Sequence, residues 1–420
     1  MAQRCKGCND LLPEGMHSFR HIEEVFKSCC MRWGYEEVRT PTLEYLHLFT
    51  STGTLTPSRL NKVYSFLDWD GWSGERVVLR PECTIPAARL YVESLADRSE
   101  ARLFYVQSVF SFDETGFLSR ERWQCGAEFI GSARPAVDVE LALLALEVLR
   151  GLGIDDIELR LSHAGLLRAL LQKAGLSPME QDAALDQILD GDMDRLGQVI
   201  GGNPQLNEVV PLLFELKGQS SGFLKNLKSS LVPALPGIET SLEDFIKIAT
   251  LLDATGTKYQ IDVASGKGFE YYTGVIFQFY SQGRKVGAGG RYNDLVPLLG
   301  GGNVPASGVA LYVDELLNCI PKYSEDYQSA KILLKSDGEH DWQLCTEVAN
   351  SLRESGFVVA LGYTDREPTG FRWTLSIQTH EEASVFVLRD LLRGRKSRIP
   401  SIQELLKTLR GASAVKTSTT

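Results

Sequence analysis

Two blocks of sheet-forming sequence bracket a long helical stretch, and this arrangement constrains the fold more than any other feature. Residues 77–80, 104–110 and 124–130 are rich in β-branched and aromatic side chains and read as strands of one antiparallel sheet. From about 164 to 257 the texture changes. Leucine- and alanine-rich segments alternate there with breaks at Gly191, Gly201-Gly202-Asn203-Pro204 and residues 233–236. Sheet texture then returns at 259–263 and 275–280. A sheet built from both sides of a helical insertion is an α+β core. The insertion holds no polar constellation with chemistry, so a structural or interface use is expected for it.

The flanks complete the layout. Phe19, Ile22, Val25 and Phe26 lie at helical spacing, predicting a helix over about 15–34 that ends at Gly34. Residues 35–41 read as a strand stopped by Pro41. The apolar stripe Val139, Leu141, Leu143, Leu144, Leu146 and Val148 makes 138–150 an amphipathic helix, and 313–319 reads as another. A polar linker follows at 320–326. Beyond it come a strand (331–335), a helix (342–355), two strands (358–361 and 384–388) and a helix (402–409), the pattern of a small α/β domain. Residues 411–420 are expected to fray.

Composition narrows the function classes. No run of about 18 apolar residues exists, so no membrane span is expected, and the first residues lead into no apolar leader. Eight cysteines in 420 residues then read as reduced thiols in a cytoplasmic protein. The net charge is −10. Residues 331–420 carry 13 Lys/Arg and 11 Asp/Glu, a local +2, so the first 330 carry −12. A tRNA-binding protein usually shows a basic face, which this balance does not favour.

Five short motifs carry the chemistry: Leu79-Arg80-Pro81-Glu82-Cys83-Thr84; Phe110-Ser111-Phe112-Asp113; Lys267-Gly268-Phe269-Glu270-Tyr271-Tyr272-Thr273-Gly274; Gly289-Gly290-Arg291-Tyr292; and residues 308–316, Gly-Val-Ala-Leu-Tyr-Val-Asp-Glu-Leu. In this order and spacing they resemble the core of histidyl-tRNA synthetase, a class II aminoacyl-tRNA synthetase. The resemblance implies an antiparallel sheet with flanking helices over residues 1–320, with 164–257 as the insertion. It also implies a C-terminal domain at 327–412 similar to an anticodon-binding domain, and a dimer interface around the N-terminal helix and strand.

The same resemblance assigns a ligand pocket. Glu82, Thr84, Gln124, Glu128, Tyr271 and Tyr272 match the histidine-binding positions of the synthetase. Gln124 and Glu128 lie four apart in a strand and so share a face. Carboxylates and a hydroxyl suit an α-ammonium, and a tyrosine hydroxyl or an amide suits an imidazole. Arg80, Arg120 and Lys267 are candidate anion contacts. The glycine-rich 287–290 permits close backbone approach, but it is no P-loop, since no Gly-Lys-Ser/Thr follows.

Four positions depart from the synthetase pattern. The family has arginine where this chain has Ser111, Lys267 and Glu315, and glycine where it has Tyr312. Arginine forks hold the ATP phosphates during adenylation, and neither lysine geometry nor a carboxylate replaces them. Such a pattern is similar to the regulatory-subunit family of ATP phosphoribosyltransferase, synthetase paralogues that do not charge tRNA. It implies a non-catalytic subunit of histidine biosynthesis that binds L-histidine and regulates the short-form catalytic subunit. The subunit would be a homodimer within a hetero-oligomer, with no cofactor, no metal and no tRNA. The competing expectation is a divergent synthetase that activates histidine with ATP.

Two further features carry less. Cys5-x-x-Cys8 with His17 and His21 has the wrong spacing for a zinc finger. Residues 393–398, Arg-Gly-Arg-Lys-Ser-Arg, form the densest basic run and read as a solvated turn.

Overall fold

The computed structural model describes every residue except 1–2, 56–59, 70–73, 113–118, 174–176, 178–180, 182–216, 234–235, 263–270, 322–330, 337–341, 364–369, 381–382 and 415–420. The chain divides into two compact units, Met1–Lys322 and Tyr323–Thr420. Among the described residues no helix is long and apolar enough to cross a membrane.

The first unit opens with the helix Pro13–Arg32, whose buried Phe19, Ile22, Phe26, Cys29 and Cys30 follow one face. It stops at Gly34, where φ is +81°, a conformation that side chains resist. Strand β1 is only Glu36–Glu37, shorter than the expected 35–41. Val38 adds one more bond to the Phe104 carbonyl at 2.9 Å, and Pro41 has no N–H to give.

Strands β2 (Leu43–Tyr45), β3 (Ser65–Trp69) and β4 (Gly74–Leu79) form a separate small sheet in the order β2-β4-β3. The expected single sheet is therefore two. Strand texture at 77–80 shows that a strand exists there, but not that its partners are the local β2 and β3.

The main sheet takes β5 (Ala101–Phe110), β6 (Glu121–Ile130), β7 (Glu158–His163), β8 (Lys217–Gly218), β9 (Gln260–Asp262), β10 (Val275–Ser281), β11 (Arg284–Arg291) and β12 (Ala306–Tyr312). With β1 its order is β1-β5-β6-β12-β11-β10-β7-β9-β8. Pairing is antiparallel throughout, except for the parallel pairs β1–β5 and β7–β9.

Alternation along these strands builds two different faces. Cys125, Ala127, Phe129, Val309 and Leu311 turn to one side and join a large apolar core. That core also receives Leu141, Leu144 and Val148 of the helix Pro135–Gly151, Leu224 of Ser221–Leu231, and Leu242 and Phe245 of Glu239–Ala254. The described helices between 164 and 257 thus pack into the main core, and β8 edges its sheet. The opposite face carries Gln124, Gly126 and Glu128 and is the floor of the pocket described below.

In the second unit, β13 (Lys331–Ser336), β14 (Val358–Gly362), β15 (Trp373–His380), β16 (Ala383–Asp390) and β17 (Arg395–Ile399) form a five-stranded sheet in the order β14-β13-β15-β16-β17. Helices Trp342–Glu354 and Ile402–Ala414 pack on it. Two strands go beyond the sequence reading. Strand β15 was not expected, and the basic run is only in part a turn: Arg393 and Gly394 lie in one, and residues 395–398 belong to edge strand β17. The second helix continues past Gly411. These segments gain their structure by pairing with β16 or by packing on the sheet, a tertiary term that local composition does not carry.

Candidate functional site

The floor of the pocket is made of very small residues. Strand register sets Gly126, Glu128, Ala288, Gly290, Gly308 and Ala310 on one face of three adjacent strands. Most of these glycines have a steric reason. A Cβ on Gly126 would collide with the Tyr105 ring, one on Gly308 with the Glu128 carboxylate, and one on Gly290 with the Tyr272 ring. The glycines are therefore what allows three large polar side chains to lie flat against the sheet.

Glu82 caps the helix Thr84–Ser94. Its Oε2 accepts the Thr84 amide at 2.7 Å and its Oε1 the Ile85 amide at 2.8 Å. The two orphan donors of the helix start are met by a carboxylate, which the helix dipole also favours. Glu82 is still 5% exposed, and burial pushes its carboxyl up to about 7 against the lowering pull of those amides and of the Thr84 hydroxyl.

Glu128 is 1% exposed. The Tyr105 hydroxyl donates to its Oε1 at 2.9 Å, and the Tyr292 hydroxyl donates to its Oε2. Burial raises its carboxyl to about 8; the hydroxyls of Tyr292, Tyr105 and Thr84 oppose the shift, and the nearby Glu82 charge adds to it. The Tyr271 ring stands 5.2 Å from Tyr272 and meets Tyr292 edge-on at 5.6 Å.

Glu82, Thr84, Gln124, Tyr271 and Tyr272 line one cleft together with Ala288, Tyr292, Gly308, Val309 and Ala310. Glu128 stands behind this lining, held by Tyr105 and Tyr292. The enclosed free space is about 10 Å³, roughly one water. A ligand the size of an amino acid enters only when lining side chains move aside.

The candidate anion contacts are placed elsewhere. Arg80 is buried and donates to three backbone carbonyls, of Ser108 at 2.7 Å and of Thr40 and Pro41 at 2.9 Å each, so it ties β5 to the chain before β2. Arg120 lies over the Phe112 ring at 4.8 Å. Lys267 lies outside the described residues. Of the positions that depart from the synthetase pattern, Ser111 pairs its amide with the Arg120 carbonyl at 3.0 Å. Glu315 meets Arg284 at 3.1 Å near the surface. Tyr312 stands opposite Gln124 in the ladder, at the rim of the same floor.

A second polar cluster underlies the sheet on its helical side. Arg291 grips Asp138 with two nitrogens and donates to Asp244 at 2.9 Å. Ser307 donates to Asp138 at 2.8 Å, and His163 approaches Asp244 at 3.2 Å. Burial opposes the Arg291 charge, but pairing with Asp138 and Asp244 outweighs it and raises its pKa. The cluster bolts helices Pro135–Gly151 and Glu239–Ala254 to β11 and β7, behind the pocket floor. Tyr105, Tyr292 and this cluster are missing from the sequence reading. Tyr292 and Arg291 sit in a quoted motif; Tyr105 and Asp138 carry no local signal.

With this geometry in view, known proteins place the chain. The histidyl-tRNA synthetase family pattern matches residues 7–316. A protein of Dehalococcoides mccartyi named ATP phosphoribosyltransferase regulatory subunit is 48% identical over 412 residues, covering 98% of this chain and 99% of its own. The chain belongs to that family of synthetase-like proteins. A histidine–tRNA ligase of Methanosarcina acetivorans is more distant, 29% identical over 97% of this chain and 98% of its own. Two crystal structures share the fold. One, from Bacillus halodurans, is described as an ATP phosphoribosyltransferase regulatory subunit/histidyl-tRNA synthetase; it has a TM-score of 0.74 and 23% identity, covering 88% of this chain and 95% of its own. The other is the histidyl-tRNA synthetase of Nostoc, with a TM-score of 0.75 and 18% identity over 97% and 99%. The first unit is thus a class II synthetase-like α+β fold.

Proposed function

We propose that this chain is a non-catalytic regulatory subunit of ATP phosphoribosyltransferase and that L-histidine is its effector, bound in the Glu82–Glu128 pocket. The regulatory role follows from the 48% identical relative and its name. The observation that carries the ligand is the pair of buried carboxyls in one polar cleft, Glu82 in its wall and Glu128 behind it, with the Thr84 hydroxyl interacting with both. Two such groups favour a cation that arrives with the ligand, as an α-ammonium does. Tyr271, Tyr272 and Gln124 offer the mixed donors and acceptors that an imidazole needs.

Adenylation is not part of this reading. Glu315 puts a carboxylate where the synthetases carry arginine, and its partner is Arg284. Ser111 has no cation to offer. The building block is a homodimer through the N-terminal helix and strand, joined to the short-form catalytic subunit in a hetero-oligomer.

Calorimetry with L-histidine tests the pocket, and assays of phosphoribosyl transfer by the catalytic subunit, with and without this chain and histidine, test the role. Glu82→Gln is expected to weaken histidine binding by about 1.5–3 kcal/mol, roughly ten- to a hundredfold. Histidine-dependent pyrophosphate exchange stays at background. Clear exchange by the pure protein, lost in Glu82→Gln, overturns the regulatory reading in favour of a synthetase. A stable monomer by light scattering at micromolar concentration overturns the dimer.

A further inference from the structure

The pocket answers only part of an amino acid. Glu82 and Glu128 suit an ammonium, and Tyr271, Tyr272 and Gln124 suit a ring nitrogen. An α-amino acid also carries a carboxylate, and none of the described residues lining the cleft is a cation. A carboxylate taken from water without a cation is costly. Arg80 does not serve, because its guanidinium is tied to the backbone carbonyls of Ser108, Thr40 and Pro41.

Strand β6 offers one just beyond the lining. Arg122, Gln124, Gly126 and Glu128 alternate onto one face. The ladder with β5 is regular from Ala101–Ile130 to Phe110–Glu121, so no bulge turns Arg122 off that face. The ladder with β12 ends at Tyr312, opposite Gln124, and the chain then enters the helix Val313–Cys319. Arg122 therefore stands past the end of β12, about 7 Å along the strand from Gln124, a span its own side chain covers. It is exposed, whereas Gln124 is 8% and Glu128 1% exposed, so this row runs from solvent into the core. Among the described residues Arg122 makes no ion pair and no side-chain hydrogen bond. Its charge acts on Asp314, but that carboxylate already accepts the Trp123 amide at 2.8 Å. Burial raises the pKa of Tyr312 and the Arg122 charge opposes it; burial also raises Tyr272, and Tyr312 adds to that shift. The Tyr312 hydroxyl is thus within electrostatic reach of both the cleft lining and Arg122.

We propose that Arg122 receives the carboxylate of the amino-acid ligand at the mouth of the pocket, with the Tyr312 hydroxyl beside it. The proposal rests on the reading of the cleft as a histidine pocket and adds the cation that this reading lacks. A guanidinium fork matches a carboxylate with two parallel N–H donors. The polarity of the ligand also fits the row: its ammonium belongs at the buried carboxyls and its carboxylate at the solvated end. Exposure at the mouth keeps the pair modest in strength.

Calorimetry on the full chain compares L-histidine with L-histidinol, in which a hydroxymethyl group replaces the carboxylate. Arg122→Gln is expected to weaken histidine binding about fivefold and to leave histidinol within about twofold of wild type, because only histidine carries the anion. Arg122→Lys keeps the charge without the fork and recovers part of the loss. Arg134→Gln, at an exposed arginine past the other end of β6, alters neither ligand. Raised salt weakens histidine binding more than histidinol binding. Equal losses for both ligands in Arg122→Gln, or no loss for histidine, overturn the proposal and leave the pocket reading standing. Absence of histidine binding to the wild-type chain overturns the pocket reading itself, and the proposal with it.

Discussion

Glu128→Gln isolates the energetic consequence of burying a carboxyl under two tyrosines. Glu128 has an ordinary value of 4.5 raised to about 8 by burial. Between those values the folded chain keeps a proton that the unfolded chain has released. Stability contributed at this site is therefore complete below about 4.5, falls as the pH rises towards about 8, and is flat beyond. At about 1.4 kcal/mol per pH unit, the whole fall is on the order of 5 kcal/mol. Glutamine has nearly the same shape, still accepts from one tyrosine, and cannot ionise. It costs about 1 kcal/mol for the weaker second hydrogen bond. The two proteins should agree to within about 1 kcal/mol near pH 5, and the variant should be more stable by about 3–5 kcal/mol near pH 8.5. Urea unfolding at a series of pH values reads the difference, provided the slopes match. Curves that stay parallel across that range would show that Glu128 ionises as freely in the fold as outside it, and the argument from burial would fail.

Further outcomes follow from the same geometry. Histidine binding should release protons, because the ammonium replaces protons held by Glu82 and Glu128. Its affinity should rise between about pH 6 and pH 8, and calorimetry in buffers of different ionisation enthalpy should show the release; binding without proton release counts against the pocket. Gly308→Ala drives a methyl group into the Glu128 carboxylate and should cost about 1–3 kcal/mol in thermal or urea unfolding while weakening histidine binding. Arg291→Ala leaves Asp138 buried without its cation and should cost about 3–5 kcal/mol. Glu315→Gln breaks only a surface pair with Arg284 and should change stability by no more than about 1 kcal/mol, so comparable losses from the two variants would refute this ranking by burial.

Local patterns in the chain were enough to predict the elements whose signal is periodic. The stripe of 138–150 became the helix Pro135–Gly151, and Phe19, Ile22 and Phe26 became the buried face of Pro13–Arg32. Gln124 and Glu128, four apart in a strand, could be set on one face because side chains alternate with a period of two. The motif order named Glu82, Thr84, Tyr271 and Tyr272 in advance.

Partner choice was decided only by tertiary structure. Residues 77–79 pair with β2 and β3 rather than with the main sheet, and β17 forms only because β16 lies beside it. Arg80, a candidate anion contact by its motif, was claimed by three backbone carbonyls that the fold brings to it. Tyr105 reaches Glu128 from the neighbouring strand, and Gly126 and Gly308 make room for both. These facts depend on which strand lies next to which, and that is set by long-range pairing summed over the whole sheet. A short stretch of sequence records its own periodicity, but it carries no record of its neighbours.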